Sequence, residues 1–438
     1  MITRTNRLFL ASALILTIGT TAYHYLTSFT YVAGKPYALD PRKPHILITR
    51  ITDNYGGAEV HTLQLYKRLI HKGYPATLVI DNCKQLVQQL EQEGLAYYKI
   101  APLRTIGLWC RPLGNFLLAK ALKPICQQSE AQIVQTNNFP EAIAAKHIAK
   151  MLNLKVVLTI HGSGLQPLTT KTKKRLEHID ALVGVNPRII DHYQELNQAL
   201  DLTIKNFAFI PPLFNSDTLE KFVAPNISKP DYFKRVFDIQ VGNAPVVTMV
   251  ANFYAAKNQP LLIQAMHILI NQKHREIHCM LAGDGYTRSD RKRLQHAREL
   301  VVQYKLENYI HFLGFVKDTA SLMHHSDIVT LSSTDEGLGL VLVEAGFLQR
   351  PTVGASGTGT AVIIDHEKTG LVFKNGDAQD LATQLERLLQ NPAWAQQLGR
   401  NGKTRVMEHF HPERSCEQYE EVYERFYPPR YVKTPPKN

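Results

Sequence analysis

Two carboxylates, Glu336 and Glu344, stand eight positions apart in Glu336-Gly337-Leu338-Gly339-Leu340-Val341-Leu342-Val343-Glu344. The run Asp327-Ile328-Val329-Thr330-Leu331 before them reads as a buried strand, and Leu338 to Gln349 reads as the apolar helix after them. The loop between therefore falls at the carboxyl edge of a parallel sheet, where doubly wound folds take their ligands. At the start of that helix the backbone N–H groups of Gly337, Leu338, Gly339 and Leu340 lack intrahelical partners, so they offer donors and partial positive charge to a diphosphate or to sugar hydroxyls. Glu336 at the mouth and Glu344 two turns further in can then face a sugar and a ribose. From spacing alone, the same residues also describe a capped surface helix with two solvated acids.

Other candidates lie at strand ends. His161 closes the strand Lys155 to Ile160, where an imidazole can hydrogen-bond a sugar or orient an acceptor. Gly56 and Gly57 follow the first strand and let a loop close over phosphates, the plainer reading being a tight turn. Asn137 and Asn138 follow another strand on the same edge and are candidates for acceptor contact.

These positions depend on an alternation of strand-like and helix-like blocks. His45 to Thr49, Ala76 to Ile80, Gln132 to Gln135 and Lys155 to Ile160 read as strands, with helices over Ala58 to His71 and Glu141 to Leu152. The block Leu219 to Asn243, holding Pro225, Pro230 and Gly242, interrupts the alternation and reads as a connection. A second α/β unit then runs from Pro245 to Val250 through the helix Pro260 to Asn271, the strands Ile277 to Ala282, Ile310 to Leu313 and Pro351 to Gly354, and the helix Ala378 to Leu389.

At 438 residues, 44% hydrophobic and 20% charged, the chain has room for two domains. A net charge of +12 favours anionic partners without choosing among phosphorylated substrates, acidic membranes and nucleic acid. The basic groups Lys171, Lys173, Lys174, Arg175 and Arg288, Arg291, Lys292, Arg293 also fit solvated helix faces. Nucleic acid is disfavoured because no aromatics interleave with these charges and no recognition motif is present. Five cysteines, Cys83, Cys110, Cys126, Cys279 and Cys416, show neither paired nor zinc-type spacing and read as free thiols. No D-x-D sequence occurs, so a metal clamp has no support. Gly402-Lys403-Thr404 has Gln397 where a P-loop needs a glycine, and Gly337-x-Gly339 lacks the third glycine of a dinucleotide fingerprint.

The second half, from Val246 to about Arg405, resembles the donor domain of family 4 retaining glycosyltransferases of the GT-B fold. The resemblance rests on Leu281-Ala282-Gly283-Asp284-Gly285, Leu313-Gly314-Phe315-Val316, Ser332 to Ala345 as the E-x7-E element, Gly354 to Gly359, and Thr369-Gly370-Leu371-Val372. Gly56-Gly57-Ala58-Glu59, Thr159-Ile160-His161-Gly162 and Ile210-Pro211-Pro212 carry it more weakly through the first half. It implies two facing Rossmann-like domains with a cleft between them. It also implies that Glu336 contacts the transferred sugar, that Glu344 contacts the nucleotide ribose, and that Lys257 with the Gly337 to Leu340 amides holds the diphosphate. A lysine after a strand end suits a leaving group that gains negative charge. Asn252 stands where the family places Arg, offering a neutral donor in place of a charge, Leu338 stands where it places Phe, and Ala361 where many relatives place Glu.

The domains expected are an anchor or signal segment over 1–35, an acceptor domain over 44–218, a linker over 219–243, a donor domain over 244–410, and a C-terminal helix and tail over 411–438. The activity expected is retaining, metal-independent transfer of a hexose from a nucleotide-diphosphate sugar to a glycan or lipid-linked acceptor, with no cofactor. Sugar-nucleotide epimerisation, phosphorolysis, and a membrane-tethered nucleotide-sugar-binding protein without transfer are the alternatives. Leu8 to Leu26, uncharged and as a helix roughly 28 Å long, reads as a membrane anchor or a cleaved signal. Nucleotide sugars are supplied in the cytosol, which predicts a cytosolic catalytic body working at the membrane.

Overall fold

The computed structural model describes residues 27–52, 55–101, 112–162, 165–222 and 226–428. The chain divides into two compact units. Apolar β-branched runs make the strands of both, and each strand buried on two faces reads as a nearly continuous apolar stretch, as in Ile46–Arg50 and Val246–Val250.

The first unit holds eight strands: β1 (Phe29–Val32), β2 (Ile46–Arg50), β3 (Ala76–Ile80), β4 (Tyr97–Ile100), β5 (Ile133–Thr136), β6 (Lys155–Ile160), β7 (Ala181–Gly184) and β8 (Asn206–Phe209). They lie in the order β1-β4-β3-β2-β5-β6-β7-β8. All pair in parallel except β1, which runs antiparallel to β4 with Phe29 opposite Ile100. Its helices are α1 (Gly57–His71), α2 (Lys84–Glu93), α3 (Pro112–Gln128), α4 (Phe139–Leu152), α5 (Thr170–Leu176) and α6 (Pro187–Ala199).

The second unit holds β9 (Val246–Val250), β10 (His278–Ala282), β11 (Ile310–Gly314), β12 (Ile328–Leu331), β13 (Thr352–Ala355) and β14 (Leu371–Phe373), all parallel in the order β11-β10-β9-β12-β13-β14. Its helices are α7 (Ser216–Glu220), α8 (Lys229–Phe237), α9 (Gln259–His267), α10 (Arg288–Gln303), α11 (Thr319–His324), α12 (Leu340–Phe347), α13 (Thr360–Ile363), α14 (Ala378–Gln390), α15 (Pro392–His409) and the start of α16 (Pro412–Glu424). In each sheet the strand order reverses once, at β2/β5 and at β9/β12, and such a reversal opens a crevice at the strands' carboxyl ends.

Several boundaries differ from the sequence reading. The first unit runs to Ile210, and the second begins at Pro211 and keeps the 219–243 block as its own: Tyr232 and Phe233 of α8 pack with Val246, Met280 and Leu322. Two amphipathic turns rich in Phe and Tyr bury there, which the Pro and Gly of that stretch concealed. At the other end Cys416 to Glu424 of α16 return to the first unit, where Tyr419 and Tyr423 are fully buried. The segment expected as an anchor through residue 35 folds from Phe29 into an edge strand instead. Its apolar core, Leu8 to Leu26, lies outside the described residues. Among the described residues no helix is long and apolar enough to cross a membrane.

Candidate active site

In the second unit, the loops leaving β9, β12 and β13 converge at the point where strand order reverses. After β9 the chain makes a single helical turn, Ala255–Lys257, and Asn258 follows in the left-handed region at φ 48°. This turn is stapled to the loop after β12. Thr334 N donates to Ala256 O at 2.9 Å, and Ser332 Oγ lies 3.2 Å from Lys257 O and 2.9 Å from Asn258 O. The staple brings two of the predicted residues into contact, with Lys257 Nζ 2.6 Å from Glu336 Oε2 and both side chains mostly buried.

The helix carrying Glu344 starts at Leu340, two residues later than the apolar pattern suggested, and ends at Phe347 instead of Gln349. Gly339 has φ 96°, outside the right-handed helix, so regular structure cannot begin before it. Gln349 at φ 58° likewise stops the far end. Leu338, only 2% exposed, plugs the loop into the core, a burial worth about 2 kcal/mol. From β13 the turn ending at Gly359 closes against this loop: Gly359 N donates to Glu336 O at 2.9 Å, and a Cβ on Gly359 would stand 2.1 Å from Gly337 O. The helix start has no side-chain cap, and the first-turn N–H groups at Leu340 and Val341 have no intrahelical acceptor.

Glu344, one face further along α12, is largely buried, and burial pushes its carboxyl up to about 7. Asn252 supports the neighbouring loop, its Oδ1 accepting from Asp284 N at 3.3 Å while its carbonyl accepts from Gln259. Ala361 is exposed on α13. Among the described residues no group of three or more His, Cys, Asp and Glu is placed to hold a metal ion.

In the first unit, Gly56 caps α1 in extended conformation and Gly57 opens it. Arg50, Glu59 and Glu141 brace the strand ends beside them. Arg50 pairs with Glu59, and Glu141 accepts from Thr49 Oγ1 at 2.9 Å, Ile51 N at 2.7 Å and Asn137 N at 2.8 Å. Burial raises the Glu141 carboxyl against the pull of Arg50 and these donors. Asn137 is buried and donates its amide to Thr49 O at 2.9 Å, and Asn138 caps α4 by accepting from Glu141 N at 3.0 Å. Both side chains read as acceptor contacts are thus engaged in holding the β5 loop. His161 directly follows β6 and is partly buried, grouping with the second unit's residues.

The family model "Glycosyltransferase Family 4" matches residues 55–201, and "Glycosyl transferases group 1" matches residues 234–405. The chain belongs to the group 1 glycosyltransferases of family 4. This glycosyltransferase is 24% identical over 381 residues to the N-acetyl-alpha-D-glucosaminyl L-malate synthase of Bacillus anthracis, covering 84% of this chain and 93% of that one. It is 22% identical over 377 residues to the UDP-Gal:alpha-D-GlcNAc-diphosphoundecaprenol alpha-1,3-galactosyltransferase of Escherichia coli, covering 84% and 93%. A crystal structure of a glycosyltransferase from Rickettsia africae superposes with TM-score 0.75 at 21% identity, over 89% of this chain and 100% of that one, which establishes the shared two-domain GT-B fold.

Sequence reasoning missed the residues that set this glycosyltransferase's Lys257–Glu336 geometry. Ser332 and Thr334 hold the β9 turn, and Asn375 donates to Thr334 O at 2.8 Å, tying in the loop after β14. The available signal was the run Ser332-Ser333-Thr334 directly after a buried strand, because short hydroxyl side chains there bond to backbone groups.

Proposed function

We propose that this glycosyltransferase moves a hexose from a nucleotide-diphosphate sugar to a glycan or lipid-linked acceptor, with retention at the anomeric carbon and without a metal ion. The observation that carries this reading is the Lys257–Glu336 ion pair at the reversal point of the second sheet, beside an uncapped helix start. A diphosphate entering there meets a compact cation and first-turn N–H donors, which supply the charge stabilisation a leaving phosphate needs. Lys257 exchanges its carboxylate partner for phosphate oxygens, and Glu336 is released toward the sugar. As the C1–O bond to phosphate breaks, the acceptor oxygen bonds to C1 on the same face. Its proton passes to the departing phosphate oxygen. The ribose hydroxyls donate to Glu344, His161 and Asn252 contribute polar contacts to the donor, and the Gly56–Gly57 turn closes over the phosphates. Asn137 and Asn138 shape the acceptor side through the β5 loop.

The named activity of the E. coli relative, on an undecaprenol-linked diphosphate acceptor, supports a lipid-linked acceptor here. The uncharged run Leu8 to Leu26 supports a membrane-held protein with its catalytic body in the cytosol, where nucleotide sugars are made. The test is transfer from a panel of radiolabelled UDP-, GDP- and ADP-hexoses into membrane lipid extracts, in EDTA and in manganese, with the product's anomeric proton coupling read by NMR. Retained configuration and EDTA-insensitive transfer are expected. An inverted product, or activity that needs manganese, rejects the mechanism.

A further inference from the structure

The amino-terminal edge of the second sheet, opposite the edge that carries Lys257 and Glu336, has a cavity of about 320 Å³. Pro245, which leads into β9, Ile328, which begins β12, and Pro351, which leads into β13, place it at the strand starts. This is within the size range of small-ligand sites. Leu388 at the end of α14 and Ala395 in the first turn of α15 form an apolar wall, and Arg350 and Arg400 bring two guanidinium groups to the lining.

Arg350 is the unusual member. Its side chain is partly buried, and burial lowers its pKa against the attraction of Asp327. Its two hydrogen bonds, from Nε to Leu348 O and from Nη1 to Ser326 O, are both 3.4 Å long. Among the described residues no carboxylate forms an ion pair with it. The acid in the lining, Asp327, is already answered by Lys229 Nζ at 2.9 Å and by Val246 N at 2.7 Å. One of these carbonyls caps the end of α12 and the other precedes β12, and both bonds are at the long limit of hydrogen bonding. A guanidinium presents a rigid fork of donors matched to two oxygens of one anion, and most of the fork is unspent here. The first turn of α15, at Pro392 and Ala395, adds positive potential from the same side. Arg400 is exposed and held by Gln397 Oε1 at 2.6 Å, an arrangement that leaves its charge at the rim.

We propose that this cavity is a binding site for a small oxyanion, a phosphate or carboxylate on a short apolar body, gripped by Arg350 with Arg400 at the rim. It is separate from the donor site, at the other end of the parallel strands. The chemistry requires the head group to meet the guanidinium fork and the apolar body to lie on Leu388 and Ala395.

The test uses the full chain carrying Lys257→Ala, so that the donor site does not answer for the anion. Melting temperature is followed while inorganic phosphate, or separately butyrate, replaces chloride at constant ionic strength. A concentration-dependent rise with at least one probe is expected, and the stronger probe identifies the head group. Adding Arg350→Met is expected to raise the dissociation constant about tenfold or more, the loss of charge-assisted hydrogen bonds. Arg400→Gln alters an exposed side chain and serves as the deciding variant if Arg350→Met does not fold. No rise with either probe overturns the proposal, as does a rise that the deciding variant leaves unchanged.

Discussion

Lys257 and Glu336 hold each other at 2.6 Å in a mostly buried setting, so removing either leaves the other an unpaired and partly desolvated charge. Lys257→Ala is expected to lower turnover by about a hundredfold to a thousandfold, the scale of losing one preorganised charge stabiliser. Glu336→Gln keeps the shape and is expected to cut turnover more than it weakens nucleotide binding. Steady-state transfer assays with circular dichroism as a folding control measure both. Glu344 gives a pH signature. Its carboxyl titrates near 7 in the folded chain and near the ordinary 4.5 when unfolded, so the fold binds the extra proton between those values. The unliganded protein therefore loses stability as pH rises from about 4.5 to 7, and the loss is complete above 7. Glu344→Gln removes this dependence, and its unfolding free energy, read by urea denaturation, should exceed the parent's by a margin that grows over that window, to on the order of 3 kcal/mol at pH 8. A constant margin across pH would show that Glu344 is solvated. Nucleotide affinity should fall as pH drops below 7, because a protonated carboxyl accepts fewer ribose hydrogen bonds.

At the scale of elements, the site is a meeting of loops whose separations are set by backbone contact. Gly359 approaches Gly337 O so closely that Gly359→Ala must move either the β13 turn or the β12 loop. The expected result is a destabilisation of about 1 to 3 kcal/mol, the cost of overpacking, with a disproportionate rise in the donor dissociation constant, read by thermal shift with UDP-hexose. The paired strands β9 and β12 and the acids after β12 were legible in the amino-acid order because buried parallel strands advertise themselves as apolar runs and glycines mark where they turn. Lys257 became identifiable through family resemblance, since a lone lysine after a strand has no local signature. The start of α12 was misplaced because Leu338 continues the apolar pattern although its neighbour Gly339 leaves the helical region. Asn137 and Asn138 sat on the right edge, but side chains that cap a helix and side chains that face a ligand share one residue type.

For the molecule as a whole, the chain order and the spatial order part company at α16. Sequence alone gave residues 411–438 as a helix and tail, because nothing local in Cys416 to Glu424 says which body its tyrosines enter. The structure puts Tyr419 Oη 2.9 Å from Thr159 Oγ1 and Tyr423 Oη 3.1 Å from Gln135 Oε1, under the middle of the first sheet. Lys72 Nζ joins Glu420 at 2.7 Å from the outside. Tyr419→Phe should cost about 1 to 2 kcal/mol through the buried hydroxyl partners it strands, measured by urea denaturation. Ending the chain after Ser415 should expose the first unit to limited proteolysis while sparing residues 234–405.

That return has a cost during synthesis. When the ribosome has finished the first eight strands, the body they form still lacks the buried tyrosines that close its underside, and the whole second unit must be translated before they emerge. A nascent first unit thus waits half-built, a natural client for chaperones. A premature stop codon before Cys416 would cripple the half of the protein that was made first.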